Sequence, residues 1–261
     1  MQSSKVSEHF KNKVIWITGA SSGIGRALVI ALSKIDCQVC ITSRSKEKLV
    51  ETMEQCTNKN NIVVLEGDLT SKQVNQEIVA SIQESCGRLD IAILNAGTCE
   101  YVDIENFDSE LFIRQMDTNF TSIIYGIEAA LPLLKESKQA QLIGMSSTAA
   151  YLGLPRAEAY GATKAAIRNL FSALRISLQP YHISASVICP GFVETELTAQ
   201  NDFDMPALIT SKQASTHILE GIAAHKQEIH FPKCFSVILK FIASLPNPMI
   251  SWLVKKFVVR T

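Results

Sequence analysis

The chain has 261 residues, with 25 basic and 25 acidic side chains, 47 % apolar and 19 % charged. High apolar content with low charge excludes a disordered chain, and zero net charge argues against a nucleic-acid binder, which needs a basic excess. The length fits one large α/β domain or two small ones.

KVIWIT (13–18) reads as a first strand, followed by a glycine-rich turn and a helical pattern over 26–34. CQVCIT (37–42) is a second strand, then comes the helix-like stretch 46–56, and NIVVLEGD (61–68) is a third strand. The pattern continues with a Ser-capped helix over 71–86, the strand IAILN (91–95) and one long helix over roughly 110–135. QLIGMSS (141–147), a helix over about 158–178 and ISASVIC (183–189) complete the alternation. Each strand is a continuous apolar run rather than an in–out alternation. That pattern predicts a doubly wound α/β domain with a mainly parallel sheet of about seven strands, covered by helices on both faces.

Seven cysteines form no disulfide framework at this length. Cys37 and Cys40 form a C-x-x-C, but strand residues three apart face opposite sides, so they read as small apolar side chains. The first twelve residues are polar and lack the apolar middle of a signal peptide, which makes a cytoplasmic setting the expectation. The five histidines show no metal-ligand spacing, and no metal site is expected.

Between the first strand and helix lies Thr18-Gly19-Ala20-Ser21-Ser22-Gly23-Ile24-Gly25. Such a turn lets backbone approach a pyrophosphate, and the helix opening there aims its free N–H groups and positive dipole end at the phosphates. The spacing is G-x-x-x-G-x-G. Further landmarks follow in order: Asn95-Ala96-Gly97 after the fourth strand, Asn119 in the long helix, Ser147, Tyr160-x-x-x-Lys164 and Pro190-Gly191. On these residues the chain resembles the short-chain dehydrogenase/reductase family in its Tyr-dependent branch, over roughly residues 10 to 232. The resemblance implies a Rossmann-type fold, a nicotinamide cofactor and hydride transfer.

The second strand ends Thr42-Ser43-Arg44-Ser45 with no carboxylate at its tip. A carboxylate there would suit the ribose hydroxyls of NAD, whereas an arginine fork suits a 2′-phosphate, so NADP(H) is the expected cofactor, with Lys46 as a second charge. By resemblance, Asp68 meets the adenine amino group, and the cofactor set takes in Gly19, Ser21, Ser22, Gly23, Ile24, Gly25, Arg44, Leu69, Asn95, Ala96 and Gly97. Pro190, Gly191, Val193 and Thr195 would hold the nicotinamide carboxamide.

Tyr160 and Lys164, four apart on a helix, project from one face. Carbonyl reduction needs a proton donor for the developing alkoxide, and a neighbouring ammonium pulls a tyrosine's pKa down toward usefulness. By resemblance, Lys164 also holds the nicotinamide ribose, Ser147 orients the substrate oxygen (Ser146 being the adjacent alternative), and Asn119 holds a water linking Lys164 to solvent.

The loops after the fourth, fifth and sixth strands bring Tyr101, Val102, Tyr151, Leu152, Leu154, Phe192, Leu197, Phe203, Met205 and Leu208 to the expected pocket. They predict a small apolar ketone, aldehyde or secondary alcohol as substrate, with residues 203–208 in a lid. Two apolar blocks follow Phe231, split by Leu245-Pro246-Asn247-Pro248 and too short to span a bilayer. Residues 233–261 therefore read as a helical extension of a 1–232 domain. Its expected place is the substrate pocket, a partner or a membrane surface. A homodimer or homotetramer through the helices around 113–134 and 158–178 is implied by resemblance. The competing reading is a catalytically silent nucleotide-binding or membrane-docked interaction protein on the same fold.

Overall fold

The computed structural model describes residues 2–257. Its strands are β1 (Val14–Thr18), β2 (Gln38–Ser43), β3 (Ile62–Glu66), β4 (Ile91–Leu94), β5 (Ala140–Met145), β6 (Ile183–Pro190), β7 (Val193–Glu194), β8 (Ile209–Thr210) and β9 (Glu228–Phe231). Seven of them form one parallel sheet in the order β3-β2-β1-β4-β5-β6-β9, and β7 and β8 pair as a separate short ribbon. The helices are α1 (Gln2–Phe10), α2 (Gly23–Leu32), α3 (Lys46–Glu54), α4 (Lys72–Cys86), α5 (Ser109–Met116), α6 (Ser122–Glu136), α7 (Glu158–Ser177), α8 (Ser211–Ala223), α9 (Lys233–Ala243) and α10 (Asn247–Phe257).

The continuous apolar strands are buried on both faces, as their pattern predicts. On β1, Ile15 and Ile17 pack into a cluster with Leu28 and Leu32 of α2 and Ile218 and Ile222 of α8. Val14 and Trp16 point the other way, into a cluster with Ile82 of α4, Ile127 of α6 and Phe171 of α7. Strand order reverses between β1 and β4, so a crevice opens beyond their carboxyl ends, where ligands of such sheets bind.

The single helix expected over 110–135 is broken. Residues Asp117–Thr121 form a π-helical turn between α5 and α6, and Asn119 lies inside it, fully buried. The poorer geometry of such a turn is offset by what it aims: Asn119 Nδ2 donates to Thr98 O and Thr163 Oγ1, and its Oδ1 accepts from Thr98 N. Residues beyond the sixth strand also take more structure than their pattern announced. Thr210 and Gln213 form a capping box that starts α8, a T-x-x-Q signature readable in sequence. The polar first residues form α1, which buries Phe10 and is tied to β5 through His9 and Gln141 at 2.7 Å.

Candidate active site

Three glycines shape the turn at the head of the crevice. Gly19 adopts φ +63°, and a Cβ there would lie 2.8 Å from Ala96 Cα. A Cβ on Gly25 would strike the Gly19 carbonyl oxygen, so only glycine lets α2 start this close to β1. Gly23 has φ +51°, and Ser22 stands in extended conformation at the N-cap position of α2, its hydroxyl making no bond to the helix start. The cradle is locked from below: Thr18 Oγ1 accepts from Asn95 N at 2.8 Å and Ala96 N at 3.0 Å, and Asn95 Nδ2 donates to the carbonyls of Thr18 and Gly19. Asn95 thus ties β4 to the turn, and Thr18 is a positioning residue that the sequence reading missed.

Two cavities join above this cradle. One, about 410 Å³, is lined by Gly19, Ser21, Ser43, Arg44, Ser45, Asp68, Leu69 and Ala96, as expected for the adenosine end. Its second cation is Lys48, in the first turn of α3 and paired with Glu196 of the same lining, and not Lys46. Asp68 Oδ1 is engaged by the backbone N–H and hydroxyl of Thr70 at 3.0 and 2.8 Å. The other cavity, about 160 Å³, is lined by Ser22, Gly23, Ile24, Asn95, Gly97, Ser147, Tyr160, Lys164, Pro190, Gly191, Val193 and Thr195. Gly25 and Asn119 line neither and act from beneath. A shape with a glycine-turn floor, a helix N-terminus and cations at one end fits a dinucleotide.

Tyr160 stands in the first turn of α7, and Lys164 one turn further along. Lys164 is buried and donates to Met145 O at 3.0 Å. Gly97 makes room for it: a Cβ there would lie 3.2 Å from Lys164 Nζ and 3.0 Å from Asn119 Oδ1. Burial holds the Lys164 ammonium down to about 8. Burial also pushes the Tyr160 hydroxyl above the usual tyrosine range, and hydrogen bonding to Ser147 is the main pull downward. The Tyr160 hydroxyl therefore stands above the usual tyrosine range and not below it as expected, with loss of solvent around the phenol as the largest cause. Ser146 and Ser147 both line this cavity, but buried Ser146 donates to Lys164 O at 2.7 Å and braces α7. Ser147 Oγ accepts from Ala149 N at 3.1 Å and faces the cavity. Cys99, its thiol pushed up to about 11 by burial, is a further neighbour close enough to Tyr160 and Lys164 to affect both.

The segment after β7 closes over the crevice and is latched on both sides. Glu196 pairs with Lys48 at 3.7 Å, and Asp202 with Arg156 at 2.8 Å. Arg156 also lies 4.8 Å above the Tyr101 ring, and Tyr101 bonds Asn201. Thr198, another residue missed in sequence, bridges Thr195 and the carbonyl of Val193. Rings continue from Tyr101 to Phe203, Phe192 and Phe235, with centroids 5.7 to 6.1 Å apart. Of the expected wall residues, Tyr151 instead turns its hydroxyl to Glu228 at 2.9 Å.

Cys37 and Cys40 are buried, and Cys40 Sγ lies 3.8 Å from Cys86 Sγ. Among the described residues no helix is long and apolar enough to cross a membrane.

Comparison with known proteins gives the family and the fold. The sequence pattern of the short chain dehydrogenases matches residues 13–205. An uncharacterized oxidoreductase of Myxococcus xanthus is 31 % identical over 234 residues, which cover 89 % of this chain and 92 % of that protein. The 11-beta-hydroxysteroid dehydrogenase 1A of Arabidopsis thaliana is 35 % identical over 195 residues, 74 % of this chain but only 55 % of that longer protein. In fold, the chain resembles a short chain dehydrogenase/reductase from Burkholderia phymatum solved in complex with NAD. The TM-score is 0.81 at 19 % identity, covering 89 % of this chain and 93 % of that one. The chain belongs to the short chain dehydrogenase family of oxidoreductases.

Proposed function

We propose that the protein is an NADP(H)-dependent reductase of apolar ketones or aldehydes, running the corresponding alcohol oxidation in reverse. The observation that carries this reading is the meeting of Ser147, Tyr160 and Lys164 in one cavity that continues into a second one bearing Arg44 and Lys48. Arg44 and Lys48 would grip the 2′-phosphate, aided by Ser43 and Ser45. The glycine turn and the start of α2 would hold the pyrophosphate, and Lys164, Pro190, Gly191, Val193 and Thr195 the nicotinamide end. Bound there, the reduced cofactor supplies a hydride to the carbonyl carbon.

The chain's own residues handle the oxygen. Ser147 donates a hydrogen bond to the substrate oxygen and orients it. Tyr160, kept protonated by burial, gives its hydroxyl proton to the oxygen as negative charge develops there. The Lys164 ammonium then stabilises the phenolate left behind, which is why its charge matters after transfer. Asn119 has both amide hydrogens committed to Thr98 and Thr163 and its Oδ1 to Thr98 N, so its side chain braces the floor beneath Lys164 and has no hydrogen left for a proton-relaying water.

The ring series from Tyr101 to Phe235 and the side chain of Leu197 support an apolar substrate. The names of the Arabidopsis relatives add bulky alicyclic ketones to the candidates. The assay is NADPH oxidation across ketones, aldehydes, quinones and ketosteroids, with NADH in parallel. Turnover of apolar carbonyls with NADPH is the expected result, and absence of turnover across the panel in a protein that binds NADPH would favour the silent nucleotide-binding reading. The same reading carries self-association in an intracellular setting, through the apolar side chains that α5 and α7 leave exposed at Ile113 and Ile176.

A further inference from the structure

The last two helices carry their apolar side chains outward. On α9, Cys234, Val237, Ile238 and Phe241 are all exposed, at the i, i+3, i+4, i+7 spacing of one helix face, and Phe241 is 66 % exposed. On α10, Met249 and Trp252 repeat the arrangement, with Trp252 60 % exposed. The inner side of α9 is fixed: Phe235 stacks near Phe192 with centroids 5.7 Å apart, and buried Ser236 hydrogen-bonds with His230 Nδ1 at 2.6 Å. The outward stripe is therefore held in place by the fold and is not the flank of a frayed helix.

Charge follows the same division. Residues 229–261 contain Lys233, Lys240, Lys255, Lys256 and Arg260 and no acidic residue, leaving 20 basic against 25 acidic side chains in residues 1–228. The zero net charge is thus a cationic tail on an anionic body. Lys255 and Lys256 are exposed one turn beyond Trp252, and Lys256 Nζ sits 4.9 Å above the Trp252 ring. An indole and lysines bordering an apolar stripe match a helix lying in a lipid–water boundary. At about 1.5 Å per residue, eleven residues make each helix about 16 Å long, half the thickness of a bilayer core, so the pair lies along a surface rather than through it.

We propose that α9 and α10 dock the protein on an anionic lipid surface. Val237, Ile238, Phe241, Met249 and Trp252 enter the boundary, and Lys255 and Lys256 meet the headgroups, while Lys240 is held by Glu228. A second copy of the chain fits less well. A two-fold contact would bring Lys255 and Lys256 of both copies together, with no acidic residue in 229–261 to offset them. Docking does not depend on the proposed reaction, although Phe235 joins the inner side of α9 to Phe192.

The test uses the full chain with phosphatidylcholine vesicles, with and without phosphatidylglycerol, read by co-sedimentation and tryptophan emission. The chain has two tryptophans, and Trp16 is fully buried, so a blue shift reports Trp252. Docking predicts binding to phosphatidylglycerol vesicles with a blue shift, little binding to phosphatidylcholine alone, and release by salt. Val237→Ser with Phe241→Ser, and separately Lys255→Glu with Lys256→Glu, should each weaken binding about tenfold or more with unchanged circular dichroism. Absence of vesicle binding, or equal binding to both vesicle types, overturns the proposal. A dimer that Val237→Ser and Phe241→Ser disperse, with no vesicle binding, assigns the face to a second copy instead.

Discussion

Lys164 Nζ lies 5.5 Å from the centre of the Tyr160 ring and donates its hydrogen bond not to that ring but to Met145 O, at 3.0 Å. The two residues share one helix face, yet the carbonyl of β5 holds the ammonium, and burial governs the protonation of both. The tyrosine is kept neutral while the lysine is loosened toward neutral pH. A neutral phenol beside a cation suits giving a proton, the requirement of reduction.

Tyr160→Phe removes the hydroxyl that the proposed reaction uses as its general acid. Reductive kcat is expected to fall roughly 10²–10⁴-fold, the usual worth of a general acid, while NADPH affinity by fluorescence stays within about twofold. Wild-type turnover in this variant would remove Tyr160 from the reaction.

Burial lowers Lys164 from the usual lysine range to about 8, so its charge is lost as pH rises through about 8. Because the charged form is the one that stabilises the phenolate, reductive kcat/KM, which reports the free enzyme, is expected to fall above that pH. The effect on stability has the opposite sign. Between about 8 and the usual lysine value the unfolded chain binds more protons, so this group adds stability as pH rises there. A flat profile from pH 7 to 9.5 would contradict the assignment.

Arg44 and Lys48 line the larger cavity, with no carboxylate at the tip of β2. Arg44→Asp should raise KM for NADPH about tenfold or more and improve NADH use, and Lys48→Glu should act in the same direction more weakly. Unchanged ratios of kcat/KM for the two cofactors would release both residues from this role.

Thr18→Val keeps the shape of β1 but deletes the oxygen that accepts from Asn95 N and Ala96 N. Leaving these half-buried donors unpaired costs about 1 kcal/mol each, read as a lower urea midpoint, and NADPH affinity falls as the turn loosens. An unchanged midpoint would mean that water replaces the hydroxyl.

Ile113 and Ile176 stand on α5 and α7 with their side chains in solvent. If these helices carry self-association, Ile113→Glu with Ile176→Glu should shift the protein to a smaller species in sedimentation velocity without changing its circular dichroism. An unchanged species would move the contact elsewhere.

The framework was legible because each strand from β1 to β6 is an apolar run and the landmarks from Gly19 to Gly191 are local in sequence. What escaped reading depends on rotation and depth. Lys46 and Lys48 are equally plausible by composition, and only the rise of α3 aims the second at the crevice. Thr18 and Thr198 are ordinary in a sequence and matter through bonds to residues 77 and 5 positions away. The expected lowering of Tyr160 was reasoned from a neighbouring charge, whereas enclosure of the phenol by folded chain decides its direction.

The π turn at 117–121 has one more consequence, for how the site tolerates change. An α-helix advances about 100° per residue, so deleting one residue there would restore ordinary periodicity and swing the chain on one side of the cut by that angle. Every landmark side chain would survive such a deletion, yet Asn119 would no longer reach Thr98 and Thr163 from the same seat. The floor beneath Lys164 is specified by the number of residues as much as by their kind.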